Sequence, residues 1–177
     1  MLNLETSRLL LRRWTDRDLL PMSRINGDPE VMQWIGEGTT RAEDQTKVFI
    51  ERCEEMWETQ GFGLFAVEIR ETEELAGFVG LSVPTFLPEV MPSVEIGWRL
   101  GRSFWGKGIA TEAAEETLGF GFEHCDLNKI LSICQIGNIA SEHIMQKLGM
   151  YLERETADPS CGRRVRVYAI ERQNLTF

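Results

Sequence analysis

Phe65, Val67 and Ile69 alternate with Ala66, Glu68 and Arg70, and Val94, Ile96, Trp98 and Leu100 alternate with Glu95, Gly97 and Arg99. A period of two sends successive side chains to opposite faces, so both stretches predict strands with one face buried. Leu75 to Val83 and Lys129 to Gln135 are nearly continuous apolar runs of strand length, and the polar Glu71–Glu74 between the first two strands predicts a hairpin. Leu9 to Arg13, Tyr151 to Glu155 and Val165 to Ile170 read as further strands. Helical spacing appears at residues 42 to 59, around Val48, Ile50, Cys53 and Met56, and again at 107 to 122. In the latter, Ile109, Ala110, Ala113, Ala114, Leu118 and Phe120 form the stripe, with Glu112, Glu115 and Glu116 outside. Asn138 predicts the N-cap of a short helix with Ala140, Ile144 and Leu148 on its buried stripe and Gly149 as its stop. Near the start, Thr15 and Asp18 have capping-box spacing, with Trp14 placed to staple back. Pro21 predicts that this helix begins close to it or bends there.

The resulting order, β-α-α-β-β-β-α-β-α-β-β, has no repeat and no linker, and 177 residues suit one domain over 1–177. Hydrophobic residues at 42% and charged residues at 27% describe an ordinary globular chain. The start has no basic segment followed by an apolar run, and nowhere do about 18 apolar residues follow one another, so neither export nor a membrane partner is expected. Cys53, Cys125, Cys134 and Cys161 are scattered and only His124 and His143 accompany them, which predicts no metal site and suits a reducing cytoplasm. A formal charge of −9 argues against a nucleic-acid partner and favours a cationic or amine one.

The stretch Trp105-Gly106-Lys107-Gly108-Ile109-Ala110-Thr111 hands a strand to a helix. Gly106 and Gly108 can take backbone angles closed to other residues, and the first helical turn leaves N–H groups unpaired beside a partial positive charge. A pyrophosphate suits such a place, with Arg99, Arg102 and Lys107 as basic surroundings. An ordinary turn in a solvated loop is the alternative. The loop Pro84 to Pro92 carries Phe86, Leu87, Val90 and Met91, which either line a pocket or interface or pack against the domain.

Three segments in order, Val94-Glu-Ile-Gly-Trp98, Trp105 to Thr111, and Asn138-Ile-Ala-Ser141 leading into Lys147-Leu-Gly149, resemble the GNAT N-acetyltransferase superfamily. Leu9-Leu-Leu-Arg-Arg-Trp14 and the Trp105-Gly-Lys-Gly form are similar to its ribosomal-protein N-terminal acetyltransferase-like branch. The resemblance implies an α+β GNAT fold, a mixed, mostly antiparallel central sheet of about seven strands with helices on both faces. It also implies a cytoplasmic enzyme using acetyl-CoA, the pyrophosphate on the main chain of Trp105 to Thr111 and the pantetheine along Trp98, Arg99 and Leu100. The partner would be an amine, either a protein N-terminus or a small molecule, and a second copy of the chain as a homodimer is compatible with it.

In this family the amine attacks the thioester directly. Glu95 matches the acidic position that serves as base, with pairing to Arg99 on the same strand face as its alternative role and Glu68 as a second choice. Many relatives place a tyrosine seven residues beyond the asparagine as acid, whereas this chain has Met145. Ser141 is then the candidate to hydrogen-bond the sulfur, beside Asn138, and its alternative is a serine in a first helical turn; Tyr151 and Tyr168 are alternative donors. The loss of the tyrosine also admits a catalytically weak acyl-CoA-binding sensor or scaffold.

Overall fold

The computed structural model describes residues 2–174. Its centre is one sheet of eight strands in the order β1-β2-β3-β4-β5-β6-β8-β7. The strands are β1 (Leu4–Glu5), β2 (Leu9–Arg12), β3 (Leu64–Ile69), β4 (Leu75–Ser82), β5 (Glu95–Leu100), β6 (Lys129–Gln135), β7 (Tyr151–Ala157) and β8 (Arg164–Glu171). The extra strand relative to the expected seven is β1, whose two residues are too few for a periodic signal. All neighbours run antiparallel except β5 and β6, which are parallel and share a single registered pair, Glu95 with Leu131.

Two helical groups cover the faces. On one lie α4 (Ile109–Glu123) and α5 (Ile139–Lys147), packed over Leu9, Leu11, Phe65, Val67, Val79, Leu81, Ile96 and Leu100. The α4 stripe is as expected, with Thr117, Gly121 and Phe122 also buried. On the opposite face lie α1 (Leu19–Asn26), α2 (Pro29–Met32) and α3 (Glu43–Gln60), where Met22, Ile25, Met32 and Cys53 meet Leu64, Ala66 and Phe78. Alternation within β3 explains the split, since Phe65 and Val67 serve one core while Leu64 and Ala66 serve the other.

As expected, α1 begins close to Pro21: it starts at Leu19, and the proline is its third residue, where the missing N–H would have had no partner. Other expectations are corrected. Thr15 and Asp18 do form the capping box, around a 3-10 turn, but Trp14 is buried beneath α3 and donates to the Leu64 carbonyl at 2.9 Å. On α5, Ile144 and Leu148 pack on the core as expected, joined by buried Glu142 and Met145, whereas Ala140 is exposed. In the Pro84–Pro92 loop, Leu87 and Val90 pack on Leu131, Val165, Val167 and Ala169, on the α1–α3 side of the sheet, while Phe86 and Met91 remain exposed. The loop and the α1–α3 layer thus pack on the same face of the sheet, the loop over β6 and β8 and the helices over β3 and β4.

Candidate active site

Three structural events converge at β5. First, β5 and β6 are joined only near Val94 to Ile96: Leu131 N–H donates to the Val94 carbonyl at 2.9 Å and Ser132 Oγ to the Ile96 carbonyl at 3.0 Å. Beyond that point no registered pair links them, so Gly97 to Leu100 offers backbone to a ligand entering the wedge.

Second, the chain leaves β5 through a short 3-10 turn, Arg102–Phe104, into Trp105 to Gly108. Trp105 is pinned by its indole N–H to the Leu100 carbonyl at 2.9 Å. Gly106 and Gly108 have φ of +70° and +76°, and nothing lies within 4 Å of where a Gly106 Cβ would stand. Among the described residues, none of the N–H groups from Gly106 to Thr111 has a protein acceptor, while Glu112 N–H already reaches Gly108 O. Six consecutive donors over the first turn of α4, with Ile109 and Ala110 buried beneath them, fit a pyrophosphate.

Sequence reasoning missed what braces this turn. Arg8, between β1 and β2, donates to the Lys107 carbonyl at 2.9 Å and is held by Glu112, which also accepts from Thr6. In a planar trans peptide the carbonyl and the following N–H point oppositely, so fixing Lys107 C=O fixes Gly108 N–H away from Arg8. The pairing links residues about a hundred positions apart, and no local pattern announces it. Of the three cations expected beside the turn, Arg102 is engaged by Asp28 at 2.6 Å and Glu30 at 3.1 Å, and the Arg99 side chain turns into the α1–α3 layer. Lys107 remains exposed there with no ion pair among the described residues.

Third, the two walls of the wedge carry side chains that touch across it. Asn138 caps α5, its Oδ1 accepting from Ser141 N–H at 3.3 Å. Trp98 Nε1 donates to Ser141 Oγ at 3.3 Å. An indole N–H is only a donor, so the serine oxygen is the acceptor and its own proton stays free for a third group. Met145 lies 1% exposed in the main core, with no polar atom to offer. The alternative donors are committed: Tyr168 donates to Glu142 at 2.7 Å, and Tyr151 to Glu171 at 3.2 Å on the sheet edge.

Glu95 sits at the narrow end of the wedge, beside Leu131, on the sheet face opposite Ile96. Its contact is Ser82 Oγ, which donates to Oε1 at 3.2 Å, and no cation among the described residues lies within ion-pair distance. Burial pushes the carboxyl up to about 7, the serine hydrogen bond opposing this only in part. Pairing with Arg99 is therefore not its role. Glu68, the second choice, is sealed in an ion-pair cluster, accepting from Arg12 at 2.9 Å and from Arg17 at 2.6 Å.

A sheet splayed beside one parallel pair, a glycine turn rich in free N–H groups, and a buried carboxyl at the apex define an acetyltransferase fold. The chain matches the family described as "Acetyltransferase (GNAT) domain" over residues 8–151, and it belongs to that family. It is 31% identical over 152 residues, 86% of this chain and 84% of the other, to the Uncharacterized N-acetyltransferase YnaD of Bacillus subtilis. Among solved structures it is similar to a GNAT-family acetyltransferase from Bacillus anthracis, with TM-score 0.80, 27% identity and coverage of 97% and 99%. The ribosomal-protein-S5-alanine acetyltransferase from Vibrio fischeri shares the fold at TM-score 0.78 over the whole of both chains, with 15% identity. No helix among the described residues is long and apolar enough to cross a membrane, and no cluster of potential metal ligands occurs among them.

Proposed function

We propose that this acetyltransferase takes its acetyl group from acetyl-CoA and passes it to a primary amine by direct attack, with Glu95 as base and Ser141 hydrogen-bonded to the sulfur. The observation that carries the reading is Glu95: a desolvated carboxyl without a cation partner among the described residues, raised to about 7, at the apex of the wedge. An ionisation near the working pH is what a general base needs, because the carboxylate is then both populated and basic enough to take a proton. The pyrophosphate would lie on the N–H groups of Gly106 to Thr111, and the pantetheine along Trp98 to Leu100.

In the reaction the amine nitrogen forms a bond to the thioester carbonyl carbon and the carbon–sulfur bond breaks. Glu95 accepts the proton lost by nitrogen, directly or through water, and the Ser141 hydroxyl stabilises the departing thiolate. The base also selects among amines. An α-amino group, near 8, lies within about one unit of Glu95, whereas a lysine amine near 10.4 lies more than three units above it. A protein N-terminus or a small α-amine is thus the easier acceptor, in a cytoplasmic setting.

Buried Met145, standing where relatives carry a tyrosine acid, favours a second reading, an acyl-CoA-binding module with little turnover. Thiol release from acetyl-CoA across a panel of amines decides between them. Release accelerated by an amine supports the enzyme; binding of CoA compounds with no acceleration by any amine leaves the module.

A further inference from the structure

Arg99 is a buried cation with no carboxylate partner among the described residues. It is 8% exposed, on the same strand face as Glu95, and its guanidinium donates from Nη1 to Asn26 Oδ1 at 2.7 Å. Nε is enclosed without an acceptor. Asn26 is itself fully buried and spends its amide on Thr46 at 3.0 Å, so a neutral chain of side chains holds the charge in place without cancelling it. The guanidinium lies over Phe78 at 5.1 Å and beside Phe49 at 5.7 Å. Arg41, half-buried, approaches the same Phe49 ring at 5.9 Å, and its guanidinium has no ion pair among the described residues. Burial, reinforced by Arg41, pushes Arg99 down to about 9, which leaves it charged at neutral pH. Two arginines of like charge held against one ring cost stability, and an apolar pair of the same size would not.

Both arginines lie on the α1–α3 side of β5, the face that carries Glu95. Along β5 the order is Glu95, Gly97, Arg99, and the cross-strand partners on β4 are Ser82, Gly80 and Phe78. Nothing lies within 4 Å of a Gly97 Cβ, and a Gly80 Cβ is excluded because Gly63 O would stand 2.4 Å away. The floor between the carboxyl and the guanidinium is therefore bare backbone on both strands. Arg41 and Phe49, with Arg52, also line a hollow of about 410 Å³ open to solvent on the α3 side, where the one carboxylate, Asp44, forms no ion pair with them.

We infer that the acceptor carries, several bonds from its amine, an anionic group of carboxylate or phosphate type, and that Arg99 with Arg41 binds it while the amine meets Glu95 across the glycine floor. This rests on the amine-transfer reading above. A cationic or neutral acceptor would leave the two guanidinium groups uncompensated, whereas an anion neutralises the pair. The local field thus opposes the chain's overall charge of −9.

The test compares matched acceptors in the thiol-release assay: β-alanine against β-alaninamide, and O-phosphoethanolamine against ethanolamine. The anionic member should have at least tenfold higher kcat/KM in one pair, and which pair responds distinguishes carboxylate from phosphate. Asn26→Asp, which places a carboxylate on Arg99 with almost no change in size, should collapse that ratio toward one. A merely structural role for Asn26 would lower both members equally and leave the ratio intact. Arg99→Lys should restore part of the ratio lost in Arg99→Gln, with circular dichroism verifying that each variant is folded. Calorimetric titration with inorganic phosphate and with acetate gives a readout that needs no turnover. Binding abolished by Asn26→Asp, with no amine active, would sink the transfer reading and keep the anion site. Equal use of charged and neutral acceptors, or no anion binding beyond that of Arg99→Gln, overturns the inference.

Discussion

Two charged sites share one face of the sheet, and they are built on opposite rules. At β2 and β3, Arg12, Asp18 and Glu68 are all buried, and each charge meets its opposite: Arg12 reaches Asp18 at 2.7 Å and Glu68 at 2.9 Å. Desolvation works to raise the Asp18 carboxyl, and the hydrogen bonds from Arg12 and the Thr15 N–H overcome it and hold it low. Two strands away, Glu95 has a hydroxyl in place of a cation and Arg99 an amide in place of a carboxylate. Both groups lie on β5, yet Gly97 separates them and each is left with unspent affinity. The first site is saturated and holds the N-terminal segment to the sheet. The second leaves both charges unneutralised at a cost in stability, the pattern on which the proposed acceptor site rests.

The largest effect should come from breaking the saturated site. Asp18→Ala strips Arg12 of its bidentate partner inside the protein and should cost about 3–5 kcal/mol of unfolding free energy, read by denaturant titration. Acid should do the same in part. The depressed carboxyl contributes stability above the ordinary aspartate range, and that contribution is lost as pH falls through it.

At the unsaturated site the signs reverse. Glu95→Gln should reduce kcat on the order of 100-fold or more with little change in acetyl-CoA affinity. Because the folded-state value is raised, the wild type forfeits stability as pH climbs toward and past about 7. The same variant should therefore raise the melting temperature at pH 8 and barely change it at pH 5. A variant that is slower but no more stable at pH 8 would show that Glu95 is not desolvated in the way described.

Gly108→Val should weaken acetyl-CoA binding by about tenfold or more, since a β-branched residue is strained at φ +76° and the free N–H groups lose their alignment. Equilibrium binding would reveal it, and equal affinity would remove the turn as the phosphate site. Ser141→Ala should lower kcat by about tenfold, in keeping with the loss of one donor to a developing charge. Smallest is Ser82→Ala. Removing the hydroxyl that stabilises the carboxylate should move the acid limb of the kcat/KM profile upward from about 7 by a fraction of a unit. Movement in the other direction would reverse the assigned role of Ser82.

Much of this architecture is written locally. The capping residue Asn138, the αL stop at Gly149, the stripe of α4 and the alternation of β5 are each decided within a few residues, and β6 occupies the range its apolar run predicts. The helix α2 was not predicted, because its four residues are too few to show a period. Glu95 could be named as a candidate from its strand and its family resemblance. The pattern nevertheless kept Glu68 as a second choice, and it grouped Arg99 and Arg102 with the glycine turn.

What separated these residues is distance across the sheet and between layers, which a linear pattern does not contain. The chain by itself determined that strands, helices and a glycine turn follow in an order compatible with an acetyltransferase, because backbone preference and side-chain periodicity are short-range. Tertiary structure alone decided that Glu68 is neutralised, that Arg8 braces the turn, and that Glu95 and Arg99 stay unpaired on either side of Gly97. Burial and the choice of partner set the energy of a charge, and both are properties of the folded molecule.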